Sequence, residues 1–397
     1  MNPLISSNPV LSLIIPTRER ANTLALTLAT AIQQKSQKFE IIISDNSSLD
    51  NTKDVVTSFL DNRIRYLNTG KRVSMCDNYE FGLENARGDY VIIIGDDDAI
   101  VSGGLDFLIS LLVLSDEKRI HMWPLHTYDW PNNSANGRLA YQAPIRPLSI
   151  LDMKRKAISV VEKGGWKYYD LPSPYHAAVP KKFLEQIKLK TGRVFNSTQP
   201  DVFTAMALPA FTDYAINLGL SITFNGRSSH SNGLGFVNKS AKSNIDRFLS
   251  EYDCYDFHDS LLIDAGKSAN MIPDAVLKAY DFFPEVYGDT VFSYEAMWAF
   301  SCRHGFISYS EILSMYKKIE QRQPFKLHRF KLFTLIHKIS SIRRKFLDFI
   351  SRNKNFDNEI KNILDMANIF GIDNVPNLTK IDIMRLYIMK TSLLNEH

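Results

Sequence analysis

Short runs of apolar residues alternate with longer amphipathic segments over the first hundred residues of the chain. The runs "LSLII", "FEIII" and "YVIII" are almost continuously apolar, which is typical of strands covered on both faces of a sheet. After the first run, Leu24, Leu28 and Ile32 recur at a spacing of four and predict a helix. Strands that alternate with helices predict an α/β fold with a doubly wound, mostly parallel sheet flanked by helices.

The rest of the chain has a different pattern. The stretch "IHMWPLHTY", residues 120–128, predicts one further strand, and beyond about residue 245 nearly every segment has helical periodicity. Candidate helices lie near 245–264, 289–301, 307–320, 326–350, 355–369 and 379–394. We therefore predict an α/β domain over residues 1–240. A helical C-terminal domain over 241–397 is expected to contact an acceptor, a membrane surface or another copy of the chain.

Polar loops follow the predicted strands at the places where a ligand binds in doubly wound sheets. The loop "GDDDAI" holds Asp96, Asp97 and Asp98, three like charges whose repulsion a divalent cation such as Mg²⁺ or Mn²⁺ would relieve. The loop "SDNSSLD" begins with Asp45 and Asn46, whose side-chain oxygens can accept the imino N–H of a pyrimidine base. A solvated turn and helix caps are the alternative interpretations of these two loops.

Composition and charge narrow the classes of protein that this chain can represent. With 397 residues, 45% hydrophobic and 23% charged, it resembles an ordinary soluble globular protein, and a net charge of +4 gives no case for nucleic-acid binding. Three distant cysteines without CxxC spacing indicate neither a zinc site nor a disulfide framework. No secretory signal is visible, and no segment has the roughly 20 apolar residues of a membrane helix. We therefore expect a cytoplasmic protein.

Three ordered motifs in the first hundred residues of the chain resemble a known enzyme family. The segments "LSLIIPTRERANTL", "FEIIISDNSSLDNT" and "NYEFGLENARGDYVIIIGDDD" are together similar to the N-terminal half of family 2 glycosyltransferases with the GT-A fold. In that family a sugar nucleotide binds across the strand ends. The family usually has two acidic residues where this chain has Asp45 and Asn46. The resemblance implies a metal-dependent, inverting glycosyltransferase of surface-polysaccharide synthesis.

The resemblance also implies roles for individual residues. The donor, with a UDP-sugar favoured, would contact Pro16, Thr17, Arg18, Asp45, Asn46, Lys71, Arg72, Asn78, Asp96 and Arg227. Asp97 would bind Mn²⁺ or Mg²⁺, with Asp98 as the alternative ligand and His230 as a further one. For Lys71 and Arg72 the competing interpretation is surface charge, and for Asn78 it is a buttress of its loop.

An inverting transfer needs a carboxylate that removes the proton from the acceptor hydroxyl. In "NSTQPDVFTAMALPAF" the dipeptide "PD" places Asp201 at the start of a helix-like run, where the family commonly has its base. Asp201 as a helix N-cap is equally compatible with the sequence. Asp213 is the second candidate for the base, and His176 is a candidate for the acceptor site.

The segment 326–354 combines basic and apolar residues. It carries nine basic residues against one acidic residue, and its apolar positions have helical spacing. Such a helix can lie on an anionic membrane surface, which would suit a lipid-linked acceptor at the inner face of the cell membrane. The alternative is a helix that packs on the catalytic domain with a solvated basic face. A homo-oligomer also remains open.

Two other functions compete with glycosyl transfer to a glycan or lipid-linked acceptor. A sugar nucleotidyltransferase should have a glycine-rich phosphate loop directly after the first strand, whereas "PTRER" contains no glycine. A catalytically silent glycan-binding or scaffold protein would tolerate loss of the acidic motif. All three aspartates are present, which favours the enzyme.

Overall fold

The computed structural model describes residues 8–114, 117–131, 136–229, 241–252, 255–263, 266–351 and 362–375, with five isolated positions between 380 and 387. Its first four long strands are β1 (Leu11–Thr17), β2 (Phe39–Asp45), β3 (Ile64–Asn68) and β4 (Tyr90–Ile93). They pair in parallel in the order β3-β2-β1-β4. The chain order reverses on either side of β1, so the crevice at the carboxyl ends of β1 and β4 is the expected ligand position.

Both faces of this sheet are buried, as the continuous apolar runs predict. Ile14, Ile42 and Ile93 belong to one core cluster, whereas their neighbours Leu13 and Ile43 belong to the cluster on the opposite face. The connecting helices are α1 (Ala21–Ile32), α2 (Thr52–Ser58) and α3 (Met75–Glu84). Successive residues of a strand point to opposite faces, so a strand between two helical layers carries apolar residues on both faces.

Four later strands extend the sheet: β6 (Ile120–Met122), β9 (Ser149–Asp152), β10 (Ala177–Pro180) and β11 (Tyr214–Asn217). The full order is β3-β2-β1-β4-β10-β6-β11-β9, in which β9 and β10 run against the other six strands. The predicted α/β class, with a mostly parallel sheet flanked by helices and a helical C-terminal region, is confirmed.

A second sheet, which we did not predict, lies beside the strand ends. It has the order β5-β12-β7-β8 and consists of β5 (Ala99–Ile100), β7 (His126–Asp129), β8 (Arg138–Tyr141) and β12 (Thr223–Arg227). The single strand expected over 120–128 is therefore wrong, because β6 and β7 belong to different sheets. Pro124 lies between them, and its lack of an N–H is unsuited to a continuous ladder.

The remaining helices frame the two sheets. Among the described residues, four precede residue 240: α4 (Gly104–Leu112), α5 (Met153–Glu162), α6 (Lys181–Thr191) and α7 (Pro200–Ala207). Eight with described bounds follow it: α8 (Ala241–Leu249), α9 (Lys267–Phe282), α10 (Pro284–Tyr287), α11 (Tyr294–Arg303), α12 (Tyr309–Ser314), α13 (Tyr316–Arg322), α14 (Leu327–Ser351) and α15 (Ile363–Ile369). In the described ranges, no helix combines the length and the hydrophobicity needed to cross a bilayer.

The C-terminal helices differ in detail from those predicted. The candidate over 245–264 is wrong in extent, because α8 ends at Leu249, and α9 was not predicted at all. Pro273 lies inside this helix, where proline is unfavourable, but Met271, Val276 and Ala279 are buried and their packing outweighs the proline. Most of the candidate helix over 379–394 lies outside the described residues. The division into domains at residue 240 remains a prediction.

Candidate active site

Asp96 follows β4 and is held by residues at the end of β1. Its Oδ2 accepts a hydrogen bond of 2.7 Å from the Thr17 hydroxyl, and its Oδ1 accepts one of 2.8 Å from an Arg20 guanidinium N–H. The Thr27 hydroxyl, on α1, donates to the backbone oxygens of Asp96 and Asp98. The acidic loop is thus fixed against β1 and α1, and Asp96 has a charged partner in Arg20.

Asp98 is fully buried and both of its carboxylate oxygens are engaged within the protein. Its Oδ2 accepts hydrogen bonds from the Gly95 backbone N–H at 2.5 Å and the Tyr175 hydroxyl at 3.0 Å, and it lies 3.1 Å from His176 Nε2. Its Oδ1 accepts the Gly226 N–H at 2.7 Å. Asp98 therefore joins the end of β4 to the second sheet, which gives it a structural role.

Asp97 has a different environment. Its Oδ2 accepts the Ser228 backbone N–H at 3.1 Å, and its backbone oxygen accepts the Trp130 indole N–H at 2.7 Å. Burial, followed by the charges of Asp98 and Asp96, raises the pKa of Asp97 from 3.8 to about 6. A carboxylate whose ionised form is disfavoured by its surroundings is one that a bound cation would stabilise.

The acidic loop on its own does not surround an ion. The described part of the chain contains no group of three or more His, Cys, Asp or Glu side chains placed to hold a metal. Mg²⁺ is often bound by only one or two carboxylates together with substrate phosphates, so the set formed by Asp97 and its neighbours fits an ion that arrives with a diphosphate.

A close approach of two backbones positions this loop. A Cβ at Gly226 of β12 would lie 1.6 Å from the backbone oxygen of Asp97 and 2.8 Å from Trp130 Nε1. No side chain can occupy that volume, so the glycine is required for the second sheet to close over the aspartates.

Asp201 lies in the first turn of α7, which begins at Pro200, and it shares Tyr79 and His176 as neighbours with the acidic loop. Burial is the largest cause that raises the pKa of Tyr79, and the carboxylates of Asp201, Asp98 and Asp96 raise it further. Burial also raises the pKa of Asp201 itself, against the opposing effects of the Val202 backbone N–H and of His176. The fold thus places Asp201 and the aspartates that follow β4 around the same tyrosine, although they are distant in the sequence.

The residues expected to contact a nucleobase are engaged with their own loops. Asp45 accepts hydrogen bonds from the Ser48 hydroxyl and the Tyr66 hydroxyl, each at 2.5 Å. The Asn46 side chain bonds both the N–H and the carbonyl of Val73, at 2.8 Å each. Asn46 therefore fixes the loop after β3 to the end of β2.

Asn78 has a comparable structural position. Its side-chain oxygen accepts the Ser44 hydroxyl at 2.7 Å, and its amide donates to the Ser44 carbonyl at 3.0 Å. These bonds attach α3 to β2, which is the buttressing interpretation of the sequence. Pro16 pairs with Ser44 in the ladder between β1 and β2 and lies one residue before Thr17.

The basic side chains that were predicted to bind phosphate lie in separate parts of the structure. Arg18 and Arg72 both bind the carboxylate of Glu251, and Lys71 beside them is exposed. Arg227 instead pairs with Asp129 of the second sheet, at 2.5 Å from Nη2 to Oδ1. His230 lies outside the described residues.

Comparison with known proteins identifies one matching family. Residues 12–110 match the family described as "Glycosyl transferase family 2". A segment of 104 residues, 25% of this chain, is 38% identical to 34% of a GalNAc(5)-diNAcBac-PP-undecaprenol beta-1,3-glucosyltransferase from Campylobacter jejuni. A segment of the same length, 26% of this chain, is 24% identical to 41% of WfgD from Escherichia coli, a UDP-Glc:alpha-D-GlcNAc-diphosphoundecaprenol beta-1,3-glucosyltransferase. The matched region thus spans between a third and about two fifths of these relatives.

Among solved structures, the chain is similar to a crystal structure of S. aureus TarS in complex with UDP-GlcNAc. The TM-score is 0.45 and the sequence identity 13%, over 84% of this chain and 92% of the other.

Proposed function

We propose that this chain, in which residues 12–110 belong to glycosyl transferase family 2, transfers a sugar from a nucleotide-sugar donor to a hydroxyl of an acceptor glycan. The observation that carries the proposal is the meeting of two groups at the carboxyl ends of the strands. One is the buried aspartate cluster with Arg20, and the other is Asp201 at the start of α7. An acidic donor site beside a separate carboxylate is what an inverting transfer requires.

Asp97 would hold the divalent ion, Mn²⁺ or Mg²⁺, together with oxygens of the donor's diphosphate. When bound, the ion would neutralise the charge that develops on the leaving diphosphate. Asp98 is the weaker candidate for a ligand because its two oxygens already accept hydrogen bonds from Gly95, Gly226 and Tyr175. Asp96, held by Thr17 and Arg20, would contact the ribose, and Arg18, Lys71 and Arg72 would contact the phosphates.

Asp201 would act as the general base. Burial raises the pKa of Asp201, which makes its carboxylate a stronger proton acceptor than that of an exposed aspartate. The base must reach the acceptor hydroxyl on the side of the sugar opposite the leaving group, so the transfer would invert the anomeric configuration. Asp213, the second candidate, is exposed.

The chemistry of donor and acceptor is proposed from the related enzymes. The name of the E. coli relative specifies UDP-Glc, and the names of both relatives specify sugars linked to undecaprenyl diphosphate. By extension we propose a UDP-sugar donor and a lipid-linked acceptor for this chain. In this proposal Asp45, whose Oδ2 accepts hydrogen bonds from Tyr66 and Asn68, would recognise the uracil ring.

Thermal unfolding in the presence of a panel of nucleoside diphosphates tests the donor site. With Mn²⁺ present, we expect one nucleotide to raise the melting temperature in proportion to its saturation. A ligand at one hundred times its dissociation constant stabilises by about 2.7 kcal/mol. The rise in melting temperature should be larger with UDP than with GDP, and chelation of the metal should remove most of this rise. No stabilisation by any nucleotide would favour the silent scaffold protein, and stabilisation by nucleoside triphosphates alone would favour the nucleotidyltransferase.

Helix α14 supports a peripheral contact with a membrane. Phe330 and His337 are buried on one face, where Arg303 of α11 donates a hydrogen bond to Ser340. The opposite face exposes a stripe of aliphatic side chains with exposed fractions between 43% and 69%: Leu332, Leu335, Ile336, Ile339 and Ile342. The buried face agrees with a helix that packs on the protein, and the aliphatic face, exposed within the described residues, supports the membrane contact that we propose.

The charge of α14 favours an anionic lipid surface over a second copy of the chain. The helix carries six basic residues and one acidic residue, so two copies placed face to face would repel. Lys331 and Lys338 are exposed beside the aliphatic stripe, and lysine is depleted at protein interfaces but is common where a helix lies on lipid.

Vesicle sedimentation tests this contact. The wild-type protein is expected to sediment with vesicles that contain phosphatidylglycerol and much less with pure phosphatidylcholine. At about 1 kcal/mol per basic residue, the double variant Lys331→Gln/Lys338→Gln should bind anionic vesicles roughly tenfold or more weakly. Lys53→Gln/Lys154→Gln, which changes two exposed lysines elsewhere, is the matched control. Equal binding by both variants, or none by the wild type, would refute the contact.

A further inference from the structure

Glu251 connects the C-terminal region to the predicted donor site. It lies just beyond α8, and its carboxylate accepts hydrogen bonds from Arg18 Nη1 at 2.9 and 2.8 Å and from Arg72 Nε at 3.1 Å. These arginines precede it by 233 and 179 residues. The side chain of Glu251 is 10% exposed, whereas those of Arg18 and Arg72 are 29% and 44% exposed, so the carboxylate is enclosed while its two arginine partners remain accessible to solvent.

The two arginines lie on loops that follow strands β1 and β3. Arg18 directly follows β1 and is two residues from Arg20, which contacts Asp96. Arg72 belongs to the loop after β3, which Asn46 holds in place through Val73. Cations on the loops after β1 and β3 therefore converge on one anion, and that anion is supplied by the protein itself.

The segment that supplies this anion is docked by further contacts. Ile245 and Phe248 are buried, and the Tyr252 hydroxyl lies 3.5 Å from the Sγ of Cys76 at the start of α3. A diphosphate is a larger anion than a carboxylate and pairs with guanidinium groups through several oxygens. The two anions cannot bind the same two guanidinium groups at the same time, so a diphosphate bound there requires Glu251 to leave.

We propose that Glu251 occupies the position that the donor's diphosphate takes up, so that nucleotide binding and the docking of residues 245–252 exclude one another. The proposal rests on the proposed function in that it needs a nucleotide to bind at these strand ends. Two states follow. In one, residues 245–252 form a docked latch in which Glu251 neutralises Arg18 and Arg72. In the other, the nucleotide is bound and the latch is released. Any ligand that favours one of two exclusive states disfavours the other by the same factor.

Replacing Glu251 by glutamine tests the latch. Glu251→Gln keeps the shape of the side chain but removes the charge, so it should bind UDP with Mn²⁺ more tightly than the wild type, by roughly 5- to 20-fold in titration calorimetry. Glu285→Gln removes the same charge from an exposed ion pair with Lys190 that lies outside this segment; it is the matched control and should bind UDP as the wild type does.

Hydrogen exchange provides an independent measurement. Saturation of the wild-type protein with UDP should accelerate exchange of the amides of Ser250, Glu251 and Tyr252, whose hydrogen bonds to Asp246, Phe248 and Leu249 close the end of α8. In Glu251→Gln these amides should already exchange quickly without nucleotide. Slower exchange on UDP binding, or equal affinity of the variant and the wild type, would overturn the latch. If the wild type binds no nucleotide at all, it is the proposed donor site that fails.

Discussion

Asp97→Asn should make the nucleotide-free protein more stable at pH 7.5 and abolish its response to Mn²⁺. The asparagine is isosteric and can still accept the Ser228 N–H, but it removes a charge that burial and the neighbouring Asp98 and Asp96 disfavour. A rise in pKa from 3.8 to about 6 corresponds to about 3 kcal/mol of free energy of unfolding. Loss of the charge also removes the proposed metal ligand, so transfer should fall by at least roughly a thousandfold.

The stabilisation by Asp97→Asn should depend on pH with a defined sign. The folded-state pKa of Asp97 lies above its unfolded value, so ionisation of Asp97 opposes folding above about pH 6 and has no effect below about pH 4. The difference in melting temperature between variant and wild type should therefore be largest above pH 6 and disappear as the pH falls towards 4. Calorimetric scans across this range measure it.

Asp98→Asn is the matched control one residue away. Asp98 accepts two backbone N–H groups and the Tyr175 hydroxyl, and an amide nitrogen in place of one oxygen would face a donor. This variant should therefore lose stability at pH 7.5, in contrast to Asp97→Asn. Destabilisation by both variants, to the same extent, would contradict the distinct roles assigned to the two carboxylates.

Asp201→Asn should lower kcat by roughly 10²- to 10⁴-fold while the affinity for the donor nucleotide is unchanged. Asparagine cannot accept the proton of the acceptor hydroxyl, but it retains the shape and the helix-start position of Asp201. In the wild type, kcat should fall with decreasing pH through a pKa that burial holds above the usual value for aspartate. The decisive measurements are the pH profile of kcat and the nucleotide affinity of the variant.

Asp213→Asn separates the two candidates for the base. Asp213 is exposed just before β11, and its backbone oxygen, not its side chain, is bonded to the N–H of Met153. We expect this variant to retain the activity of the wild type. If Asp213→Asn is inactive and Asp201→Asn is active, the base has been assigned to the wrong residue. If donor affinity falls in Asp201→Asn, the residue contributes to donor binding and not to proton removal.

The parts of the fold that could be predicted from the sequence are the strands whose apolar pattern along the chain directly reflects their burial in the sheet. β1, β2 and β4 are buried almost throughout and carry apolar residues on both faces because both faces of the sheet are covered, so each is visible without knowledge of its partners. The family resemblance rests on the motifs that follow these strands, and the match over residues 12–110 confirms it. The acidic loop could be located from the sequence for the same reason, because it directly follows a strand of this kind.

The parts that could not be predicted depend on contacts between distant segments. In "PTRER" both arginines are plausible ligands for phosphate, and only the fold places Arg20 on Asp96 and Arg18 on Glu251. Tyr175 and Glu251 follow no motif, because Tyr175 reaches Asp98 from the loop before β10 and Glu251 reaches the strand ends from beyond α8. β5 consists of Ala99 and Ile100 alone, too few residues to stand out as a strand before its pairing with β12 is known.

Consumption of a nucleotide sugar tests the central claim most directly. Water can take the place of the acceptor hydroxyl, so the wild-type protein incubated with Mn²⁺ and a panel of UDP-, GDP- and TDP-sugars should slowly release the nucleoside diphosphate from one donor class, with UDP-sugars favoured. Asp97→Asn and Asp201→Asn should release none above background. If no sugar nucleotide is hydrolysed or bound by the folded protein, or if both variants release nucleotide as fast as the wild type, the strand-end carboxylates are not the catalytic site of a glycosyltransferase.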